Sequence, residues 1–172
     1  SDVYKRQSLA GFQESFYDSF PIFIPNRNVN RRIQTRNFVP VNKSWSWNRR
    51  DVSLRIPAGP DSAKRIEHRV ASADANPYLV LACILSGLHH GLTKKLLPID
   101  QVSFDNTEGA DKTADPEMPK NMESALNRFK DSKILSKYLG KEYLDLYVSA
   151  KEGEFEHMDN SFIPSEEYEF YL

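Results

Sequence analysis

Arg65, Glu67 and Arg69 alternate with Ile66, His68 and Val70. Side chains alternate across a strand, so a strand over residues 65–70 carries the three charged groups on one face and the other three on the opposite face. A carboxylate between two guanidiniums has two readings. It is a structural ion-pair ladder on a solvated sheet, or a site in which Glu67 holds a divalent cation and the arginines hold the phosphates that the cation bridges. A charge-assisted hydrogen bond to phosphate is worth about 1.5–3 kcal/mol where water is largely excluded. Arg55 favours the second reading: in the alternation Val52, Leu54, Ile56 it falls on the polar side of an adjoining strand, with Arg50 in the approach. Four guanidiniums around one glutamate repel one another unless something anionic lies among them. The pattern therefore implies a polyanionic ligand, either nucleic acid or a nucleotide with its metal.

The elements that position these groups follow from periodicity. Val52–Ile56 and Arg65–Val70, joined by the turn Pro57-Ala58-Gly59-Pro60-Asp61, predict an antiparallel pair. Leu9, Phe12, Phe16 and Phe20 predict a helix that Pro21 ends, and residues 27–47 read as a basic loop. Asn76-Pro77 marks a helix start. The stretch from Tyr78 to Leu92 is apolar nearly all round, which predicts a helix buried on most sides, with Cys83 an inert core thiol and His89-His90 structural. Residues 97–120 read as a long surface loop. Asn121 caps a helix with Met122, Ala125, Leu126 and Phe129 on one face, and another helix after Gly140 shows Tyr143, Leu144, Tyr147 and Val148. The end, Pro164 to Leu172, reads as one or two helical turns. The class is α+β.

Composition narrows the field. The chain has 172 residues, 40% hydrophobic, 12% aromatic and 27% charged, which suits one domain or part of one and excludes a disordered tail. Its longest apolar run, Tyr78–Leu85, falls far short of the roughly 18 residues that cross a bilayer. With Cys83 the single cysteine there is neither a disulfide framework nor a cysteine zinc site, and the chain reads as cytoplasmic. The net charge of −1 hides +7 over residues 1–70 and −8 over residues 71–172, and ten of the eleven arginines lie at or before Arg69. Clustered arginine suits bidentate recognition of phosphate or carboxylate. Phe38, Trp45 and Trp47 interleave with Arg36, Lys43, Arg49 and Arg50, as in single-strand binders. The slightly acidic chain, with a pI near 6.4, argues against nucleic acid. Walker and Rossmann glycine loops are absent, so phosphate is not held by either device. The opening Ser1–Gln7 shares no periodicity with the residues after it and reads as a non-native leader to a truncated chain, residues 8–172.

The runs Asn48-Arg49-Arg50-Asp51-Val52-Ser53-Leu54-Arg55-Ile56-Pro57, Lys64-Arg65-Ile66-Glu67-His68-Arg69-Val70 and Ala73-Asp74-Ala75-Asn76-Pro77-Tyr78-Leu79 together resemble the C-terminal half of the glutamine synthetase catalytic domain. The resemblance runs from about Ala10 to Leu172. It implies part of an active-site funnel built on an antiparallel sheet with helices, Mg²⁺ or Mn²⁺ as cofactor, and ATP-dependent activation of the glutamate γ-carboxylate as γ-glutamyl phosphate, which an amine then displaces. Carried over by motif, Glu67 is similar to the family's ATP-side metal ligand. Arg69 is similar to the arginine at the glutamate substrate and the transferring phosphoryl group. Arg50 and Arg55 resemble the ATP-phosphate arginines, Arg65 a further arginine of that site, and Arg32 the one that grips the substrate carboxylate. The family also implies homo-oligomeric rings, with neither nucleic acid nor membrane as partner.

Two departures stand out. Ammonia-using members carry a flap of the form Arg-Leu-x-Pro-Gly-x-Glu-Ala-Pro, against Arg32-Ile33-Gln34-Thr35-Arg36-Asn37-Phe38-Val39-Pro40 here, so Phe38 stands where the flap has glutamate. A phenyl ring is no base, but it packs on an aliphatic amine or faces its cation. With Arg-Ile-Glu-His-Arg-Val and Ala-Asn-Pro-Tyr-Leu-Val, the wording resembles the branch that joins glutamate to putrescine and other polyamines; ammonia, or an inactive scaffold, is the alternative. The family's remaining metal-binding glutamates and histidine precede the first matched residue, so this stretch alone is expected not to complete the metal site.

Overall fold

A computed structural model describes residues 2–26, 40, 42–102 and 115–161. Among the described residues, helix α1 spans Asp2–Ser15 and a four-residue α2 spans Phe20–Phe23; the strands are β1 (Trp45–Trp47), β2 (Leu54–Ile56) and β3 (Glu67–His68), with a 3-10 turn at Asp61–Ala63. After these the described residues form α3 (Pro77–Lys94), α4 (Met122–Lys130), α5 (Lys133–Leu139) and α6 (Lys141–Ser161). The architecture is α+β, as expected, with a small mixed sheet in the order β1-β2-β3.

The helix expected over 9–20 is two helices. Residues 2–7 form the first turns of α1, and Pro21 does not end that helix but opens α2. Its missing N–H costs nothing in a first helical turn. The serines mark the break: Ser15 Oγ donates to Gly11 O at 3.1 Å and Ser19 Oγ to Ser15 O at 2.8 Å, bonds that bend a helix.

Helix α3 starts where Asn76-Pro77 predicts, with Asn76 Oδ1 accepting from Tyr78 N at 3.0 Å and Leu79 N at 3.3 Å. Its burial differs from expectation. The fully buried residues are Cys83, Ser86, Gly87 and Gly91, whereas Tyr78 is 82% exposed and Leu81 and Leu85 53%. The reason lies in the glycines. A methyl group on Gly11 of α1 would sit 2.6 Å from Gly91 N, with the Gly87 carbonyl nearer still. The two backbones meet along a glycine face; Leu79, Val80, Ile84 and Leu88 pack half-buried against the two cores beside it, and Tyr78, Leu81 and Leu85 are left outside.

α1 also carries the sheet. Leu9 and Phe12 pack with Trp45, Leu54 and Ile56, while Phe16, Tyr17 and the α2 side chains join the faces of α4, α5 and α6 in the larger core around Met122, Leu126, Phe129, Leu144 and Val148. Asn121 and Ser124 cap α4 reciprocally, at 2.8 Å from Ser124 N to Asn121 Oδ1 and 3.2 Å from Asn121 N to Ser124 Oγ. The antiparallel pair is present, shorter than the sequence pattern, with Leu54 opposite His68 and Arg55 opposite Glu67. A correction concerns residues 45–47: they are not loop but β1, parallel to β2 with Trp45 opposite Leu54 and Trp47 opposite Ile56. Trp45 is buried and donates its indole N–H to Ile99 O at 2.7 Å. Three residues are too few for periodicity to announce a strand.

His68 points to the core side, its ring 4.5 Å from that of Phe23 and 6.3 Å from that of Phe16. Its Nε2 is buried without a hydrogen-bond partner, and burial lowers its pKa to about 4. An unfolded histidine titrates near 6.5, so between about pH 6.5 and 4 the unfolded chain binds more protons and stability falls as pH falls. The loss over that window is expected to reach about 3 kcal/mol, and His68→Leu to flatten it. Urea midpoints measured across the window check this, and an unchanged acid limb in the variant refutes it.

Candidate active site

With Leu54, Ile56 and His68 turned inward, Arg55 and Glu67 emerge together on the outer face of the β2–β3 ladder. Arg55 Nη1 donates to Glu67 Oε2 at 3.0 Å, and Arg69 Nε lies 3.3 Å from Glu67 Oε1. The side chains are 17% (Arg55), 33% (Glu67) and 22% (Arg69) exposed, so the cluster is largely withdrawn from water. Arg55 Nη2 also donates to Asn48 Oδ1 at 2.8 Å. Two arginine nitrogens, Arg55 Nε and Arg69 Nη1, are buried without a hydrogen-bond partner. The trio carries one positive charge in excess and holds donors with no acceptor, which favours an anion.

The expected convergence of four arginines is smaller. Arg65 is exposed and turns its Nη1 to Ala63 O at 3.3 Å on its own loop; β3 begins only at Glu67, so no ladder holds Arg65 on the shared face. Arg50 is exposed in the return between β1 and β2 and makes no ion pair with a described residue. Arg32 and Phe38 lie outside the described residues. Asn48 is a neighbour of the cluster that spacing did not single out; its signals were its place at the head of the run Asn48–Pro57 and directly after Trp-Ser-Trp, where a chain can turn.

The other candidates are structural. Cys83 is buried and its thiol is pushed up to about 12, chiefly by burial, so it carries no thiolate at neutral pH. His89 Nδ1 meets Tyr138 OH and His90 Nε2 meets Glu14 Oε2, each at 2.9 Å. Among the described residues no group of three His, Cys, Asp or Glu could hold a metal. Glu67 is the hard oxygen donor that Mg²⁺ or Mn²⁺ prefers, and fits as one ligand of a site completed by other groups.

The model of the glutamine synthetase catalytic domain matches residues 1–171. The chain belongs to that family. It is similar to γ-glutamylputrescine synthetase PuuA of Escherichia coli, 38% identical over 149 residues, 87% of this chain and 31% of that protein. A glutamate–isopropylamine ligase of Pseudomonas sp is 32% identical over 165 residues, 95% of this chain and 35% of that protein. A glutamine synthetase of Methanocaldococcus jannaschii is 32% identical over 136 residues, 77% of this chain and 30% of that protein. The chain spans about a third of the length of these curated relatives. No helix among the described residues is long and apolar enough to cross a membrane.

The ion pairs have a measurable coupling. A double-mutant cycle of Arg55→Gln and Glu67→Gln in urea unfolding is expected to give about 1 kcal/mol, declining in high salt. A coupling of zero would show that the pair does not hold the ladder.

Proposed function

We propose that residues 8–172 are the C-terminal portion of a glutamate–amine ligase that spends ATP to join the glutamate γ-carboxylate to an amine through γ-glutamyl phosphate. The observation that carries this reading is the Arg55–Glu67–Arg69 cluster, with its excess positive charge and its two buried donors without acceptors. Family membership supports the same conclusion.

Arg50, Arg55 and Arg65 bind the nucleotide phosphates in this proposal, Arg69 binds glutamate and the transferring phosphoryl group, and Arg32 grips the substrate carboxylate. Glu67 holds Mg²⁺ or Mn²⁺, which when bound supplies neutralising charge to the phosphates. The chain's own contribution to phosphoryl transfer is electrostatic: fixed guanidiniums, partly shielded from water, placed where negative charge accumulates. Phe38 replaces a flap carboxylate that would attract ammonium, which favours an aliphatic amine such as putrescine. Relatives named for putrescine and for isopropylamine support that choice. Ammonia is the second reading, favoured by the similarity to a glutamine synthetase. A cytoplasmic homo-oligomeric ring completes the proposal.

The test is phosphate release by the full-length protein with ATP, glutamate and Mg²⁺. Putrescine or another alkylamine is expected to stimulate it well beyond ammonium; stimulation by ammonium alone rejects the larger-amine reading. The 172-residue chain by itself is expected to give no ligase turnover, and product formation by it would show that a single described metal-type carboxylate suffices.

A further inference from the structure

The connection between β1 and β2 poses a geometric problem. The strands are parallel, yet only residues 48–53 separate them, where a parallel return usually takes a dozen residues or more. Asn48 makes the first step of that return in the left-handed region, φ 55°. Asparagine tolerates this conformation better than other residues with a Cβ. Its N–H donates to Ile56 O at 2.9 Å, closing the ladder, and Arg49 N donates to Trp47 O at 2.8 Å. The Arg49–Asp51 ion pair then braces the loop.

The turn does more than reverse the chain. It brings the Asn48 amide over β2, where Oδ1 accepts from Arg55 Nη2 at 2.8 Å. Arg55 is therefore held on two sides, by Glu67 at Nη1 and by Asn48 at Nη2, while Nε stays without an acceptor. The two partners differ in kind. Glu67 is a charged group that a divalent cation would compete for, whereas the Asn48 amide is neutral and attracts no cation strongly. Where Glu67 turns to a cation, Asn48 is the partner that remains to Arg55 among the described residues. A neutral acceptor also leaves the guanidinium's charge available to an anion.

We propose that Asn48 is a positioning residue for Arg55, orienting its guanidinium toward nucleotide phosphate. This rests on the phosphate-binding role proposed for Arg55. The plainer alternative is that Asn48 serves only the turn.

The two are separated in the full-length protein by variants that divide backbone from side chain. Asn48→Gly keeps the left-handed turn and removes the acceptor; Asn48→Asp keeps an acceptor in a residue that also tolerates the turn. Asn48→Gly is expected to raise KM for MgATP roughly three- to tenfold, with a smaller effect on kcat and little change in Tm. Asn48→Asp is expected to raise KM measurably but less than Asn48→Gly, since it keeps an acceptor while adding a charge that partly neutralises the guanidinium. Parental KM in Asn48→Gly, with KM raised in Arg55→Gln, reduces Asn48 to a turn residue and overturns the proposal while sparing the role of Arg55. Parental KM in Arg55→Gln removes that role and the proposal with it. Should Asn48→Gly not fold, Asn48→Asp is compared in the parent and in Arg55→Gln: an effect on KM that vanishes without Arg55 supports positioning, and an equal effect in both, or none in the parent, overturns it.

Discussion

The backbone contact between α1 and α3 governs how the other elements are arranged. Gly11, Gly87 and Gly91 let two helices meet with no side chain between them, and a single added methyl at any of the three would collide with backbone or with Ser15 Oγ. Fixing α1 against α3 fixes two other surfaces at once. Leu9 and Phe12 on α1 take the inner face of the sheet, and Phe16 with Tyr17 begins the larger core that α4, α5 and α6 complete. The outward face of the sheet, with Arg55 and Glu67, is thus set by a contact on the far side of α1. The same closeness explains why Tyr78, Leu81 and Leu85 remain outside although α3 is largely apolar.

At the site, electrostatics and hydrogen-bond accounting point the same way. Glu67 neutralises one of its two guanidinium neighbours, and the excess charge sits beside donors that no protein acceptor meets. Such groups are costly to keep in a folded chain, since a buried donor without an acceptor loses its water for nothing. An anion removes that cost. A nucleotide phosphate would be that anion in the proposed reaction, and Glu67 would then have two allegiances, arginine in the free chain and a divalent cation in the proposed complex.

His68, on the inward side of the same short strand, shows the opposite treatment of a polar group. It sits against Phe16 and Phe23 with its Nε2 unpaired, and burial keeps it neutral. One strand thus presents a charged face outward and, on the inward side, an imidazole held neutral among aromatic rings. A two-residue strand sustains both because alternation needs only two positions.

Much of this was legible in the sequence. The motifs identified the family, the alternation at 52–56 and 65–70 placed Arg55 and Glu67 on one face of an antiparallel pair, and the Asn76-Pro77 and Asn121 signals located two helix starts, because caps and strand alternation are local properties. What was misread depended on distant partners. The strand character of Trp45–Trp47 arises from pairing with β2 and from burial of Trp45; Pro21 opens α2 because the chain had already broken at the serines; α3 buries a narrow face because its Gly87 and Gly91 meet Gly11 of α1 backbone to backbone. Arg65 reads as a member of the cluster until the ladder is seen to begin at Glu67. Asn48 opens one of the family-like runs, but that run by itself gives it no part in the site. Its amide meets Arg55 because a left-handed turn delivers it there, and only the tertiary structure decides that.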